Sequence, residues 1–320
     1  SSAASDVYKR QVYMGEIKME KRITGHTELL GLIATPIRHS KSPVMHNAAC
    51  RALGLDYAYL AFDIQPDQLE DAVKGFKALN VRGWNVSMPY KTSIGQYLDH
   101  ITPIAKMCGA INTVINDNGV LTGTITDGTG YMNALKDQGI DIIGKKMTIV
   151  GAGGAATAIV MQAALDGVKE ISIFNIKDAS WDRALENVEK INSQTECKAQ
   201  LFDLNDHETL RKEINESAIF TNATNVGMGK LEGQMVLPDT SYLRKDLIVS
   251  DVIYMPEKTK LLEEAEKVGC QTINGLGMML YQGAASFKLW TDQDMPIDKV
   301  KEALDLSLIH ISEPTRRTPI

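Results

Sequence analysis

The sequence predicts an α/β protein in two parts, an N-terminal α/β substrate unit followed by a Rossmann-type, doubly wound dinucleotide-binding unit. Three observations predict it. From Leu29 onward, short apolar runs rich in β-formers alternate with helical segments, the pattern of a largely parallel sheet. One such run, 147–150, passes directly into Gly151-Ala152-Gly153-Gly154-Ala155-Ala156 and then into an apolar helix through Leu165. The 320 residues, 44% hydrophobic and 23% charged, suffice for one or two full cores, which excludes disorder, collagen and coiled coil.

Taken in order, residues 30–34 form the first strand. Ser42 followed by Pro43 reads as an N-cap and first helical position, with a helix to Leu53 that stops at Gly54. Residues 57–64 are strand, and 66–79 carry Leu69, Val73 and Phe76 at helical spacing. Residues 81–87 return to strand before Pro89 opens a helix. Strands 111–115 and 120–124 flank Asp117-Asn118-Gly119, a hairpin signal because Asn and Gly tolerate positive φ. The second unit begins with helix 128–138 and strand 147–150. It continues through strand 171–174, helix 181–191 and strands 218–222 and 248–252. Helices 278–290 and 297–304 follow those strands and are expected to return to the first unit, which leaves a cleft between the two.

A formal net charge of −6 gives no electrostatic footprint for nucleic acid or an anionic membrane surface, so the expected partner is a small molecule. No apolar stretch approaches the roughly 20 residues that span a bilayer. Cys50, Cys108, Cys197 and Cys270 lie far apart, with no CxxC and no paired His spacing, so no metal site is expected and a reducing cytoplasm fits. The two ends are unusual. If Val7-Tyr8-Lys9-Arg10-Gln11 is encoded GTG TAT AAG AGA CAG, the reverse complement translates as Leu-Ser-Leu-Ile-His, the residues at 306–310. Residues 1–11 and 306–320 therefore read as translated sequencing adapter and are set aside from the fold.

In the glycine loop, Gly151 permits a tight turn and Gly153 lets backbone amides approach a pyrophosphate. Ala156 lets helix and strand come close, and the helix N-terminus favours the anion. A glycine-rich turn without a ligand is the plainer alternative. About 20 residues on, Asn175-Ile176-Lys177-Asp178 places Asp178 to accept from ribose hydroxyls and to repel a 2′-phosphate, which favours NAD over NADP even though Lys177 could attract a phosphate; a solvated Lys-Asp pair is the alternative. Upstream, His39-Ser40-Lys41-Ser42-Pro43 sets two hydroxyls where they can hold a carboxylate, although Ser42 as a simple cap explains half of it. Lys91, in Asn85-Val86-Ser87-Met88-Pro89-Tyr90-Lys91, and Asp127, in Thr126-Asp127-Gly128, would by themselves be a surface charge and a helix cap.

These segments occur in one order with Gly109-Ala110-Ile111-Asn112-Thr113, Asn222-Ala223-Thr224-Asn225-Val226-Gly227-Met228 and Gly277-Met278-Met279-Leu280-Tyr281-Gln282-Gly283. From Leu29 to Leu304 the chain resembles the shikimate dehydrogenases, and within them the quinate/shikimate dehydrogenase branch. The resemblance implies reversible NAD(P)-dependent reduction of 3-dehydroshikimate to shikimate on the route to chorismate and the aromatic amino acids, with quinate as a further substrate. It implies a catalytic and substrate domain at 28–127 plus 277–305 and a dinucleotide domain at 128–276, with a homodimer left open. It also implies roles. Lys91 and Asp127 form the catalytic dyad, and Ser40, Ser42, Ser87 and Tyr254 surround the substrate carboxylate. Asn112 and Gln282 bind ring hydroxyls. Gly151, Ala152, Gly153, Gly154, Ala155, Ala156, Asn175, Lys177, Asp178, Thr224, Val226, Met228, Val252, Gly275 and Met278 face the cofactor, NAD in preference to NADP.

Three positions depart from the family pattern. Many members have Asn where Ile125 stands, which removes a polar group near the ring. Many NADP-using members have Arg where Ile176 stands. Met255 lies where the family varies. Two other readings remain: a non-catalytic NAD(P)-sensing domain, and a dehydrogenase of an amino analogue of shikimate.

Overall fold

The structure, a computed structural model, describes residues 23–312, with side chains through residue 305. Of the residues read as adapter, 1–11 and 313–320 lie outside the described residues, and 306–312 continue the last helix, Ile297–Ser312. Two six-stranded sheets organise the chain.

The first sheet is built from β1 (Glu28–Ala34), β2 (Tyr57–Asp63), β3 (Gly83–Val86), β4 (His100–Ile101), β5 (Thr113–Asp117) and β6 (Val120–Thr124), in the order β2-β1-β3-β5-β6-β4. Strands β2, β1 and β3 run parallel, while β3–β5 and β5–β6 are antiparallel. Central β1 is a continuous apolar run because both of its faces are covered. On one face Ile33, Trp84 and Val86 meet Leu69, Val73 and Phe76 of a helix spanning Leu69–Ala78. On the other face Leu30, Leu32 and Tyr59 meet Trp290, which arrives from near the far end of the chain. The Trp290 indole donates to the Val114 carbonyl at 2.9 Å, and the Arg82 guanidinium donates to the Trp290 carbonyl at 3.0 Å.

The helices in chain order are α1 (Ser42–Leu53), α2 (Leu69–Ala78), α3 (Pro103–Cys108), α4 (Asp127–Asp137), α5 (Gly154–Asp166), α6 (Trp181–Gln194), α7 (His207–Glu216), α8 (Lys260–Val268), α9 (Leu276–Thr291) and α10 (Ile297–Ser312). As expected, the last two return to the first sheet, where Leu280, Phe287, Val300 and Leu304 close on Met45, Ala49 and Cys50 of α1.

The second sheet holds β7 (Lys146–Val150), β8 (Glu170–Asn175), β9 (Lys198–Asp203), β10 (Ile219–Asn222), β11 (Ile248–Asp251) and β12 (Gln271–Ile273), all parallel, in the order β12-β11-β10-β7-β8-β9. This is the doubly wound Rossmann order, with the strand sequence reversing between β7 and β10. One face packs on α4 and α5 through Ile149, Ile159 and Tyr131, and the other on α7 and α8 through Phe220, Leu210 and Leu261. The two units meet along α4 and α9. Gly130 faces α9 there, and a Cβ on it would lie 2.5 Å from the Gln282 amide nitrogen, so only glycine permits this approach.

Several local expectations differ from what forms. Pro89 opens only one 3-10 turn, Tyr90–Thr92, and the 111–115 strand is displaced to Thr113–Asp117. The edge strands β4, β9 and β12 and helices α3, α7 and α8 are additional to the expected elements; β4 and β12 are too short to show a period, whereas α8 carries Leu261, Leu262, Ala265 and Val268 at helical spacing, a signal present in the sequence. Among the described residues no helix is long and apolar enough to cross a membrane, no cluster of side chains suits a metal ion, and the four cysteines are free.

Candidate active site

A cavity of roughly 350 Å³ opens beyond the C-terminal ends of β1 and β3, within the range of small-molecule sites. Ser40, Ser42, Ser87 and Lys91 line it from the first sheet, Gln282 from α9, and Tyr254 from the loop after β11. Asn85, Met45, Met88 and Met279 complete much of the wall. Ser42 is not the helix cap. Lys41 holds the N-cap position without a side-chain bond, and the Ser40 hydroxyl accepts the Ser42 N–H at 3.2 Å. Ser42 is thus released from capping and lines the cavity, with its side chain beside the buried Tyr59 hydroxyl.

Lys91 sits on the 3-10 turn after β3, and Asp127 is the first residue of α4. The Lys91 ammonium donates to Asp127 Oδ2 at 2.7 Å. Asp127 Oδ1 accepts from Asn112 Nδ2 at 3.1 Å, so the carboxylate serves these two partners and does not cap its helix. Asn112 Nδ2 also lies 3.4 Å from Gln282 Oε1. Asn112 and Asp127 therefore stand behind the cavity wall, and Lys91 and Gln282 carry their arrangement to its surface.

The other predicted residues gather along the C-terminal edge of the second sheet, where a doubly wound sheet binds its ligand. Gly151 adopts φ +120°, and a Cβ there would lie 2.7 Å from the Ala223 carbonyl oxygen, so the β7 and β10 loops touch at the switch point. Helix α5 begins with Gly153 at its N-cap and no side-chain cap, leaving first-turn N–H groups available to an anion. A Cβ on Gly153 or Gly154 would meet nothing within 4 Å, so the loop has open room over its amides, as a dinucleotide pyrophosphate requires.

At the end of β8, Asp178 Oδ1 accepts from Asn175 Nδ2 and from the amide and hydroxyl of Ser180, and these bonds hold its carboxyl below the usual range. Among the described residues its Oδ2 has no donor. Lys177 lies 3.3 Å from Asp203 Oδ2 and over the Trp181 ring. Thr224 and Val226 are tied to Asn222, whose side chain donates to buried Asp251, and burial raises the Asp251 carboxyl. Gly275 donates its N–H to the Ile253 carbonyl beside Val252, and Met278 packs on the core of the second sheet. Met228 is exposed on the same loop as Val226.

Family comparison matches residues 32–114 to the shikimate dehydrogenase substrate binding domain and 275–304 to the shikimate 5'-dehydrogenase C-terminal domain. A shikimate dehydrogenase (NADP(+)) from Listeria monocytogenes serovar 1/2a is 67% identical over 287 residues, 90% of this chain and 99% of the relative. This chain belongs to the shikimate dehydrogenase family. A crystal structure of a shikimate 5-dehydrogenase from Listeria monocytogenes in complex with shikimate and NAD superposes with a TM-score of 0.88 at 67% identity, covering 90% of this chain and 99% of that one. A quinate dehydrogenase from Corynebacterium glutamicum in complex with NAD gives a TM-score of 0.79 at 29% identity, over 88% of this chain and 99% of that one.

For this shikimate dehydrogenase family member, one expectation needs correction. Ile125 does not border the cavity; it lies in the core of the first unit beside Ile111 and Leu121, so its difference from the family pattern changes packing and not the pocket wall. Asn85 was missed as a site residue. Its sequence signal was a single amide inside an otherwise apolar strand, and only the sheet shows that this amide reaches both the cavity and the Asn112 carbonyl.

Proposed function

We propose that this chain catalyses the reversible, NAD(P)-dependent reduction of 3-dehydroshikimate to shikimate. The observation that carries the reading is the 2.7 Å Lys91–Asp127 pair at the wall of a cavity whose other side presents the Ser40 and Ser42 region. Two serine hydroxyls donate to the substrate carboxylate, with Ser87 and Tyr254 beside them, and this fixes the ring so that one secondary hydroxyl meets Lys91. Gln282 meets the ring hydroxyls at the cavity wall, and Asn112 orders Gln282 and Asp127 from behind it. In the oxidising direction Lys91 acts as the neutral amine: the hydroxyl proton passes to its Nζ as hydride leaves the carbinol carbon, which yields the ketone and the lysine ammonium. Asp127 orients the lysine and compensates its charge. The nicotinamide, when bound, supplies the two-electron hydride acceptor, or the donor in reduction. Neither half of the step proceeds without the other, because removing hydride alone would leave a protonated ketone.

The Gly151–Ala156 loop, Thr224, Val226, Met228, Val252, Gly275 and Met278 hold the dinucleotide, with residues 128–276 as its domain and 28–127 plus 277–305 as the substrate domain. NAD is the preferred form. The unpartnered Asp178 Oδ2 suits ribose hydroxyls and repels a 2′-phosphate, Ile176 offers no charge, and Lys177 is engaged by Asp203. The named NADP(+) relatives make this the sharpest point to test. Four unpaired thiols fit the cytoplasm. We hold residues 1–11 and 306–320 to be translated adapter, which contiguous genomic codons at the source locus would refute.

A spectrophotometric assay of NADH and NADPH formation, run with shikimate and with quinate, tests the activity. Turnover of shikimate is expected, and its complete absence with both acids would favour a dinucleotide sensor. Lys91→Ala should lower kcat by roughly 10²–10⁴-fold with dinucleotide binding intact. Unchanged turnover would remove Lys91 from the mechanism.

A further inference from the structure

Behind the dyad lies a buried polar chain that links three distant parts of the sequence. Tyr59, Thr113 and Ser286 are fully buried, and Asn85 and Asn112 nearly so. Two backbone groups fix how the chain is polarised. The Asn112 carbonyl can only accept, and it takes Asn85 Nδ2 at 3.1 Å, which turns Asn85 Oδ1 to the Tyr59 hydroxyl at 2.8 Å. The Thr126 N–H can only donate, and it gives to Asn112 Oδ1 at 2.9 Å, which turns Asn112 Nδ2 to Asp127.

The hydroxyls then follow. Thr113 Oγ1 lies 2.8 Å from Asn112 Oδ1, an acceptor, and commits its single proton there. In the 2.7 Å contact between Thr113 and Ser286 the donor is then Ser286, whose proton favours this shorter contact over the 3.1 Å one to the Gln282 carbonyl. Each proton points the same way, from Ser286 to Thr113, to Asn112, to Asp127 Oδ1, while Lys91 closes on Asp127 Oδ2. A chain polarised in one sense strengthens its successive bonds.

We propose that Thr113 and Ser286 are positioning residues for the dyad: they hold the Asn112 amide in the single orientation that donates to Asp127, and through it aim Asp127 Oδ2 at Lys91. Neither lines the cavity, so neither touches substrate. The inference rests on the catalytic reading of Lys91 and Asp127. Without the Thr113 proton, Asn112 Oδ1 loses its shortest donor and keeps the Thr126 N–H and hydroxyl, so the amide is held less firmly toward Asp127. The titratable neighbours of Asp127 are Lys91 and, from the end of α3, Cys108.

The test uses the full-length enzyme. Thr113→Val should lower kcat for shikimate oxidation about tenfold, with dinucleotide affinity by fluorescence titration unchanged. Thr113→Ser, which keeps the hydroxyl, should restore kcat. Ser286→Ala should fall a few-fold in kcat, and it carries the test if Thr113→Val does not fold. A merely structural role would lower the melting temperature and leave kcat at the wild-type value in Thr113→Val, or in Ser286→Ala, and either result overturns the proposal. Lys91→Ala distinguishes the two levels: if it retains turnover the catalytic reading falls, whereas loss of turnover there with a normal Thr113→Val enzyme defeats this inference alone.

Discussion

His46 on α1 should make the stability of this protein fall steeply between pH 7 and pH 5. The side chain is completely buried, and neither ring nitrogen has a hydrogen-bond partner. It stacks on Tyr59 with ring centroids 4.3 Å apart and 11° between planes, and lies 5.3 Å from the Trp290 ring. Burial pushes its pKa down to about 3, with the nearby Asn85 side chain pulling weakly the other way. The imidazole therefore stays neutral in the folded protein while the unfolded chain takes up a proton near the ordinary value of 6.5. The stability this contributes is present above pH 6.5 and is lost as the pH falls toward 3. One unit is worth about 1.4 kcal/mol, so the site alone removes about 2 kcal/mol between pH 7 and pH 5. His46→Phe keeps a flat ring on Tyr59 and cannot titrate. Urea unfolding of both proteins at the two pH values measures the effect. The variant should lose about 2 kcal/mol less than the parent on acidification, with His46→Leu as a second comparison. Equal losses in all three, or a His46 proton resonance titrating near 6.5, would refute the reasoning.

Two further outcomes are expected elsewhere. Asp203→Asn removes the partner that engages Lys177 and should strengthen binding of adenosine 2′,5′-bisphosphate a few-fold, while Asp178→Ala should weaken NAD more than NADP; calorimetric titration reads both, and the reverse order would reject the NAD preference. Gly130→Ala drives a methyl against the Gln282 backbone and should cost roughly 1–3 kcal/mol with a lower kcat, because Gln282 moves with α9; an unchanged melting curve and turnover would show that the helices separate freely.

Much of the fold is legible in the chain because periodicity and turn chemistry are local. The helix over Leu69–Ala78 follows from its apolar spacing, and the Asn118-Gly119 turn from positive φ at both residues. The glycine loop is legible because its position, directly after an apolar strand, is itself a local fact. What failed locally failed for a stated reason. Ser42 looked like a cap because it precedes Pro43, but the chain bends one residue earlier and spends Ser40 on the turn. Short edge strands such as Gln271–Ile273 carry too few residues to show a period.

The site divides in the same way. The sequence alone determined which groups were present, namely hydroxyls at 40 and 42, a lysine at 91, an acid at 127 and a glycine loop at 151, and resemblance to a family supplied their expected roles. Tertiary structure alone decided that Lys91 and Asp127 meet, since nothing in a one-dimensional pattern brings together residues on a turn after β3 and at the start of α4. It also decided that Asn85 opposes Thr113 across the antiparallel β3–β5 pair, and that α9, returning to the first sheet, delivers Ser286 and Gln282 to the back of the dyad. The physical reason is that backbone sterics and side-chain period act over a few residues, whereas hydrogen-bond direction in a buried site is set by whichever obligate donors and acceptors the packed sheet and helices place beside each amide.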